Sequence, residues 1–217
     1  MTSWINHNQL YDLHRLSADF SVMRHGRSFP NEKDLVVSDL ESGVLPENGL
    51  SPGGRDAMWR SAKEAVADGR VDSRTRIFSS PFSRAKESAD ILAEVAGVPV
   101  VKVDIRLRER YFGELNFGSA KAGYGRVWAL DRADPTHSEF GVESVCAVLA
   151  RTSELFRELD DRARRENGSS QARYLAVFHG DPAQISESGF LKIDPRGHRE
   201  LPPLEVAQIR PLFLGKN

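Results

Sequence analysis

Two histidines sit in similar surroundings far apart in the chain. Phe20-Ser21-Val22-Met23 runs into Arg24-His25-Gly26, and Tyr174-Leu175-Ala176-Val177-Phe178 runs into His179-Gly180-Asp181. Each is a short apolar run, the pattern of a buried strand, broken by a polar turn that contains a glycine. Two more turns behind candidate strands carry reactive groups. Ser79-Ser80-Pro81-Phe82-Ser83-Arg84 follows Arg76-Ile77-Phe78, and Leu107-Arg108-Glu109-Arg110 lies beyond Val100 to Val103. Together these turns supply imidazoles, guanidiniums and the carboxylates of Glu109 and Asp181. Guanidiniums grip phosphate oxygens in pairs and keep their charge. An imidazole can attack phosphorus and form a covalent intermediate that water later resolves. A carboxylic acid near the leaving oxygen can protonate it and then serve as base for the water. The set suits phosphoryl transfer through a histidine. No H-E-x-x-H or similar spacing offers a metal site. The lone Cys146 leaves no cysteine cluster and no internal disulfide. The expected chemistry needs neither a metal nor a cofactor.

These turns must be brought together by the elements around them. A helix is expected from Ser51 as N-cap and Pro52 as first residue to about Gly69. Another should open at Phe82 and end near Ala96, closed by Gly97 with Pro99 beyond. Val100 to Val103 reads as a strand, Val142 to about Arg164 as the longest helix, and Glu166 to Gln171 as a polar break. A short helix is expected from Pro182 to about Gly189. Leu204 to Ile209 alternates as an edge strand would. Ser28 to Gly49 and Leu107 to Gly141 show no convincing periodicity and read as irregular connections. The alternation of strand and helix predicts an α/β fold, a three-layer sandwich with a mostly parallel central sheet and helices on both faces. In such a sheet the carboxyl ends of the strands share one edge, where ligands bind. Residues 1–17 read as a short extension packing on the surface, and 18–217 as a single domain.

Composition narrows the class. The chain has 217 residues, 40% of them apolar and 28% charged, as in an ordinary soluble globular protein. The formal net charge of −1 provides no global field for nucleic acid or an anionic membrane, so any attraction for an anion must be local. There is no long apolar run and no basic-then-apolar start, so the sequence reads as cytoplasmic, without a membrane span. The expected partners are a small phosphorylated substrate and inorganic phosphate. Oligomeric state is not legible.

The ordered motifs resemble those of the histidine phosphatase superfamily, branch 1, the group that includes cofactor-dependent phosphoglycerate mutase and many small phosphatases. Met23 to Ser28 with Asn31 is similar to its signature turn, and Leu50-Ser51 with Gly54 to its first helix start. Ser79 to Ala85 is similar to its second arginine motif, Leu107 with Glu109 and Gly113 to its acidic motif. Gly141 to Ser144 is similar to the start of its long helix, and Val177 to Gly180 to its second histidine. The resemblance implies a phosphoglycerate mutase-like fold in which His25 becomes phosphorylated. It also implies that Arg24 and Arg84 bind phosphate oxygens, with His179 as a further donor. Glu109 would be the acid and base, with Asp181 a second candidate. Ser28, Asn31, Gly180 and Arg110 would contact phosphate or substrate.

Other readings stand beside these. Glu109 can simply pair with its arginine neighbours, and Asp181 can cap the helix after it. His198 reads as a surface-loop residue and Cys146 as a helix core position. Tyr111, Phe112, Tyr124 and Trp128 can form an apolar wall for a substrate or be ordinary packing. Mutases of the family carry a long basic insertion after the acidic motif, whereas Gly113 to Gly141 is short with scattered Lys121, Arg126 and Arg132. The expectation is therefore a metal-independent phosphatase. The alternatives are mutase-type phosphoryl transfer and a non-catalytic member that binds a phospho-ligand.

Overall fold

The strands that precede the two histidines lie side by side. In the computed structural model, which describes residues 3–166 and 171–215, β1 (Ala18–Arg24) pairs in parallel with β4 (Ala172–Phe178) over its whole length. Arg24 stands opposite Phe178, so His25 and His179 leave the sheet at the same edge. β2 (Arg76–Ser79) runs parallel to β4 on the other side, with Ser79 opposite Val177, and β3 (Val101–Val103) extends it. β5 (Ile209–Leu212) is antiparallel to β1, and the order is β3-β2-β4-β1-β5.

β4 is apolar on both faces because both faces are covered. Tyr174, Ala176 and Phe178 join Phe20 and Val22 of β1 in a core with Leu155, Phe156, Leu159 and Phe190. These come from α6 (Val145–Glu166) and α7 (Gly180–Leu191). Leu175 and Val177 point the other way with Met23 and Ile77, into Met58, Ala62, Ala89 and Leu92. That second layer is α3 (Pro52–Ala67) and α4 (Ser83–Ala96). Ser51 caps α3 by accepting the Gly54 N–H, and Gly97 ends α4 at φ +69°, as their residue types require. The three-layer α/β sandwich is the architecture expected from the sequence. Cys146 is buried on α6, a helix core position.

Other elements depart from expectation. Ser28 to Gly49 is not structureless: it contains α1 (Phe29–Glu32), α2 (Leu40–Gly43) and a 3-10 turn at Pro46–Asn48. Local caps build α1 and α2, with Ser28 and Asn31 in a capping box and Asp39 accepting the Ser42 N–H. The stretch 107–141 contains α5 (Ala120–Ala133), which its glycines disguise. Ser119 starts this helix, and Gly123 lets it lie on Leu115, whose Cδ2 would be 2.6 Å from a Cβ there. The long helix begins at Val145, since Val142 instead joins a small core with Val36, Phe112 and Val127. The edge strand lies later than expected. Residues up to Gln208 form a turn in which Ala207 donates to Arg24 O, and pairing starts at Ile209.

The N-terminal stretch packs more deeply than a surface extension would, because Leu10 and Leu13 enter the main core and Trp4 is buried against α6 and Ile185. Most of the polar break expected from Glu166 to Gln171, residues 167–170, lies outside the described residues, as do 216–217 of the expected domain. Among the described residues no helix is long and apolar enough to cross a membrane.

Candidate active site

β1 delivers Arg24 and His25 into a turn held tightly on three sides. The His25 N–H donates to Phe178 O at 2.9 Å, tying the turn to β4. Gly26 follows because nothing larger fits: a Cβ would lie 2.6 Å from Met58 Cγ and 3.1 Å from Gly54 O. The His25 Nδ1 is 2.7 Å from Gly26 O, so Nδ1 carries the proton and Nε2 presents its lone pair. Arg84, in the first turn of α4, donates from Nε to that Nε2 at 3.1 Å. Its Nη2 reaches Val37 O at 3.0 Å and Glu109 Oε2 at 3.5 Å.

His179 follows β4 and is fully enclosed, its ring centroid 5.2 Å from that of His25. Its Nε2 lies 2.9 Å from Ser80 Oγ, and its Nδ1 lies 3.4 Å from Glu109 Oε2. Arg24 donates from Nη1 to Leu204 O at 3.1 Å. Gly180 leaves room for that guanidinium, since a Cβ there would sit 3.3 Å from Arg24 Nε.

Three enclosed donors in this group have no acceptor among the described residues: Arg24 Nε, Arg84 Nη1 and His179 Nδ1. Buried donors are normally paired, and a group of them without partners is chemically suited to accept a multi-oxygen anion. A cleft of about 290 Å³ opens on it, lined among others by Arg24, His25, Arg84, Glu109, Tyr124 and Arg199.

The electrostatics assign protonation states. Burial, followed by the charges of Arg84 and Arg24, holds His25 well below the usual imidazole range. Burial and Arg84 do the same to His179. Both are neutral at pH 7. Glu109 is pushed up to about 7 by burial, opposed by Arg84 and reinforced by the nearby charge of Asp181. Its Oε1 accepts the Arg110 N–H at 2.9 Å.

The remaining expected residues divide. Asn31 and Asp181 line the cleft, whereas Ser28 is buried and spends its hydroxyl on Asn31 in the capping box. Arg110 turns away from the cleft. Fully buried, it grips both oxygens of Asp131 at 2.7 Å and Asp181 Oδ2 at 3.1 Å. Asp181 does not cap α7; His179 occupies that position. Instead it receives Trp128 Nε1–H at 3.0 Å and faces His198 Nε2 at 3.4 Å. Burial alone would raise Asp181, but His198, Arg110 and Arg199 hold it well below the usual carboxylate range, so it stays charged. His198, expected on the surface, is buried because its segment folds under this carboxylate. Phe112, Tyr124 and Trp128 do form a cleft wall, while Tyr111 is exposed and outside it.

Sequence reasoning passed over Ser80, Gln184 and Arg199. Ser80 stood next to a recognised motif and had a signal. Gln184 and Arg199 had none, since nothing local shows that the tail returns to the sheet edge.

Solved structures share this arrangement of chain. A mycobacterial glucosyl-3-phosphoglycerate phosphatase, solved in complex with VO3, superposes with a TM-score of 0.73 at 26% identity, covering 89% of this chain and 90% of the other. A phosphoserine phosphatase mutant from Entamoeba histolytica shares the fold, with a TM-score of 0.67 at 20% identity and coverage of 89% of both chains. No curated protein matches in sequence. The profile of the histidine phosphatase superfamily, branch 1, matches residues 20–212.

Proposed function

The chain belongs to the histidine phosphatase superfamily, branch 1, and from that footing we propose that it hydrolyses a phosphomonoester through a phosphohistidine on His25. The observation that carries the reading is the convergence of the unpaired donors of Arg24, Arg84 and His179 around the His25 Nε2 lone pair.

In the first step Nε2 attacks phosphorus, and the Arg84 Nε contact to it gives way to a phosphate oxygen. Arg24, Arg84 and His179 hold the non-bridging oxygens as charge builds. The ester P–O bond breaks, and Glu109, which burial keeps partly protonated near pH 7, gives its proton to the leaving alcohol oxygen. In the second step the Glu109 carboxylate takes a proton from water, whose oxygen attacks phosphorus. The N–P bond breaks, inorganic phosphate leaves, and His25 is restored. The two guanidiniums supply the positive charge this needs. Among the described residues no group of three His, Cys, Asp or Glu side chains could hold a metal ion.

Glu109 is favoured over Asp181 as the acid because His198, Arg110 and Arg199 hold Asp181 ionised despite its burial. Hydrolysis is favoured over mutase-type transfer by what α5 offers the cleft. Tyr124 and Trp128 face it, whereas Arg126 covers Phe140 and Arg132 pairs with Glu200 outside it.

Hydrolysis of an aryl phosphate with chelator present, comparing the natural chain with His25→Ala, tests the reading. Chelator-resistant turnover that disappears in the variant is expected. Turnover that persists without His25, or that the chelator abolishes, overturns it.

A further inference from the structure

Among the described residues that line the cleft, Arg199 is a cation that the chemistry above does not use. Arg199 belongs to the 3-10 turn Pro195–Glu200, which α7 brings back to the sheet edge. Its guanidinium carbon lies over the Trp128 ring, 3.9 Å from the centroid, and Trp128 in turn packs on Tyr124 at 5.3 Å. Nη1 donates to Gln184 Oε1. The ring contact and this bond hold the fork in place, and the side chain, 31% exposed, lines the cleft.

Nε and Nη2 have no protein acceptor among the described residues. Asp181 Oδ1 is the nearest acid, 3.6 Å from Nη1 and beyond hydrogen-bond reach. Its oxygens already accept from Arg110 and Trp128. A planar fork held rigid, desolvated on one face and lacking acceptors matches an anion that accepts two parallel N–H bonds. The phosphoryl group being transferred is already matched by Arg24 and Arg84, so the acceptor for Arg199 must come from elsewhere on the substrate.

Resting on the phosphatase reading, we propose that Arg199 is a specificity residue. It takes a second anionic group, carboxylate or phosphate, carried by the same phosphomonoester. Trp128 and Gln184 are its positioning partners.

Paired substrates test this with the full chain. Glycerol 3-phosphate against 3-phosphoglycerate reads a carboxylate; fructose 6-phosphate against fructose 1,6-bisphosphate reads a second phosphate. In at least one pair the natural chain should favour the more anionic member roughly ten- to a hundredfold in kcat/KM, the worth of a charge-assisted pair. Arg199→Gln should bring that ratio close to one. Arg199→Lys keeps the charge but loses the fork, and should retain part of the preference with KM rising more than kcat falls. Equal use of both members in both pairs, or a preference that survives in Arg199→Gln, overturns the inference. If the natural chain turns over neither these esters nor an aryl phosphate, the phosphatase reading itself has failed, and this inference with it.

Discussion

Ser80 and His179 share a hydrogen bond of 2.9 Å between Oγ and Nε2, and both residues are fully enclosed. The Ser80 oxygen already accepts the Phe82 N–H at 3.2 Å, and among the described residues His179 is the one acceptor its own proton can reach. Ser80 therefore donates, which places the imidazole proton of neutral His179 on Nδ1, the nitrogen facing the proposed phosphate site. Replacing Ser80 by alanine frees the ring to take the other tautomer. We expect about a tenfold loss in kcat, the scale of one buried hydrogen bond, and partial recovery in Ser80→Thr. Nitrogen-15 spectra should find the His179 proton on Nδ1 in the natural chain; a proton on Nε2 there would sink the idea.

In the proposed reaction the pH dependence follows from two groups that must be in opposite states. His25 has to be neutral and is depressed well below 6.5, while Glu109 has to be protonated and titrates at about 7. Turnover should therefore hold from mildly acidic pH up to neutrality and fall as Glu109 loses its proton above about pH 7. Glu109→Gln cannot donate a proton. It should lose that alkaline limb and roughly 10²- to 10⁴-fold of rate on alkyl phosphates, with a smaller loss on aryl phosphates. A natural-chain profile that stays flat past pH 8 on an alkyl phosphate would remove Glu109 from the acid role.

The Arg110–Asp131 pair should behave as a structural rather than a substrate-binding unit. Both side chains are fully buried and joined by two bonds of 2.7 Å. Asp131→Ala leaves a guanidinium without its main partner in the interior, which costs about 3–5 kcal/mol. Urea unfolding should show that loss. A destabilisation below about 1 kcal/mol would mean that Arg110 finds water or substrate instead.

Neighbouring glycines at the start of α3 should respond in opposite ways. A Cβ on Gly54 would stand 1.8 Å from Arg27 O, so alanine there pushes the helix off the turn that carries His25. We expect a loss of about 1–3 kcal/mol together with reduced turnover. A Cβ on Gly53 meets nothing within 4 Å. Gly53→Ala should be neutral or stabilise by up to about 1 kcal/mol. Similar melting curves for the two variants would contradict the close approach of α3 to Arg27.

Much of this protein is set by local pattern. Apolar runs of strand length before Arg24-His25, Ser80 and His179 mark buried strands, because only a sheet covered on both faces can absorb them. Ser51 and Gly97 mark helix ends, because capping is a property of a few consecutive residues. Once parallel strands are granted, the meeting of His25, Arg24, Arg84 and His179 follows from their shared edge. Packing decided the rest. Gly123 and Gly125 hide α5 from any propensity argument, and the helix exists because Gly123 fits against Leu115. Glu109 and Asp181 are equivalent as residue types, and what separates them is the company of Arg110, Trp128 and His198, gathered from distant segments. His198 and Arg199 look like a polar surface turn until the tail is seen folding under Asp181 and over Trp128. Short-range periodicity reports which elements form. Which charges end up sharing a low-dielectric cleft depends on contacts between residues tens to more than a hundred positions apart, and only the assembled chain makes them.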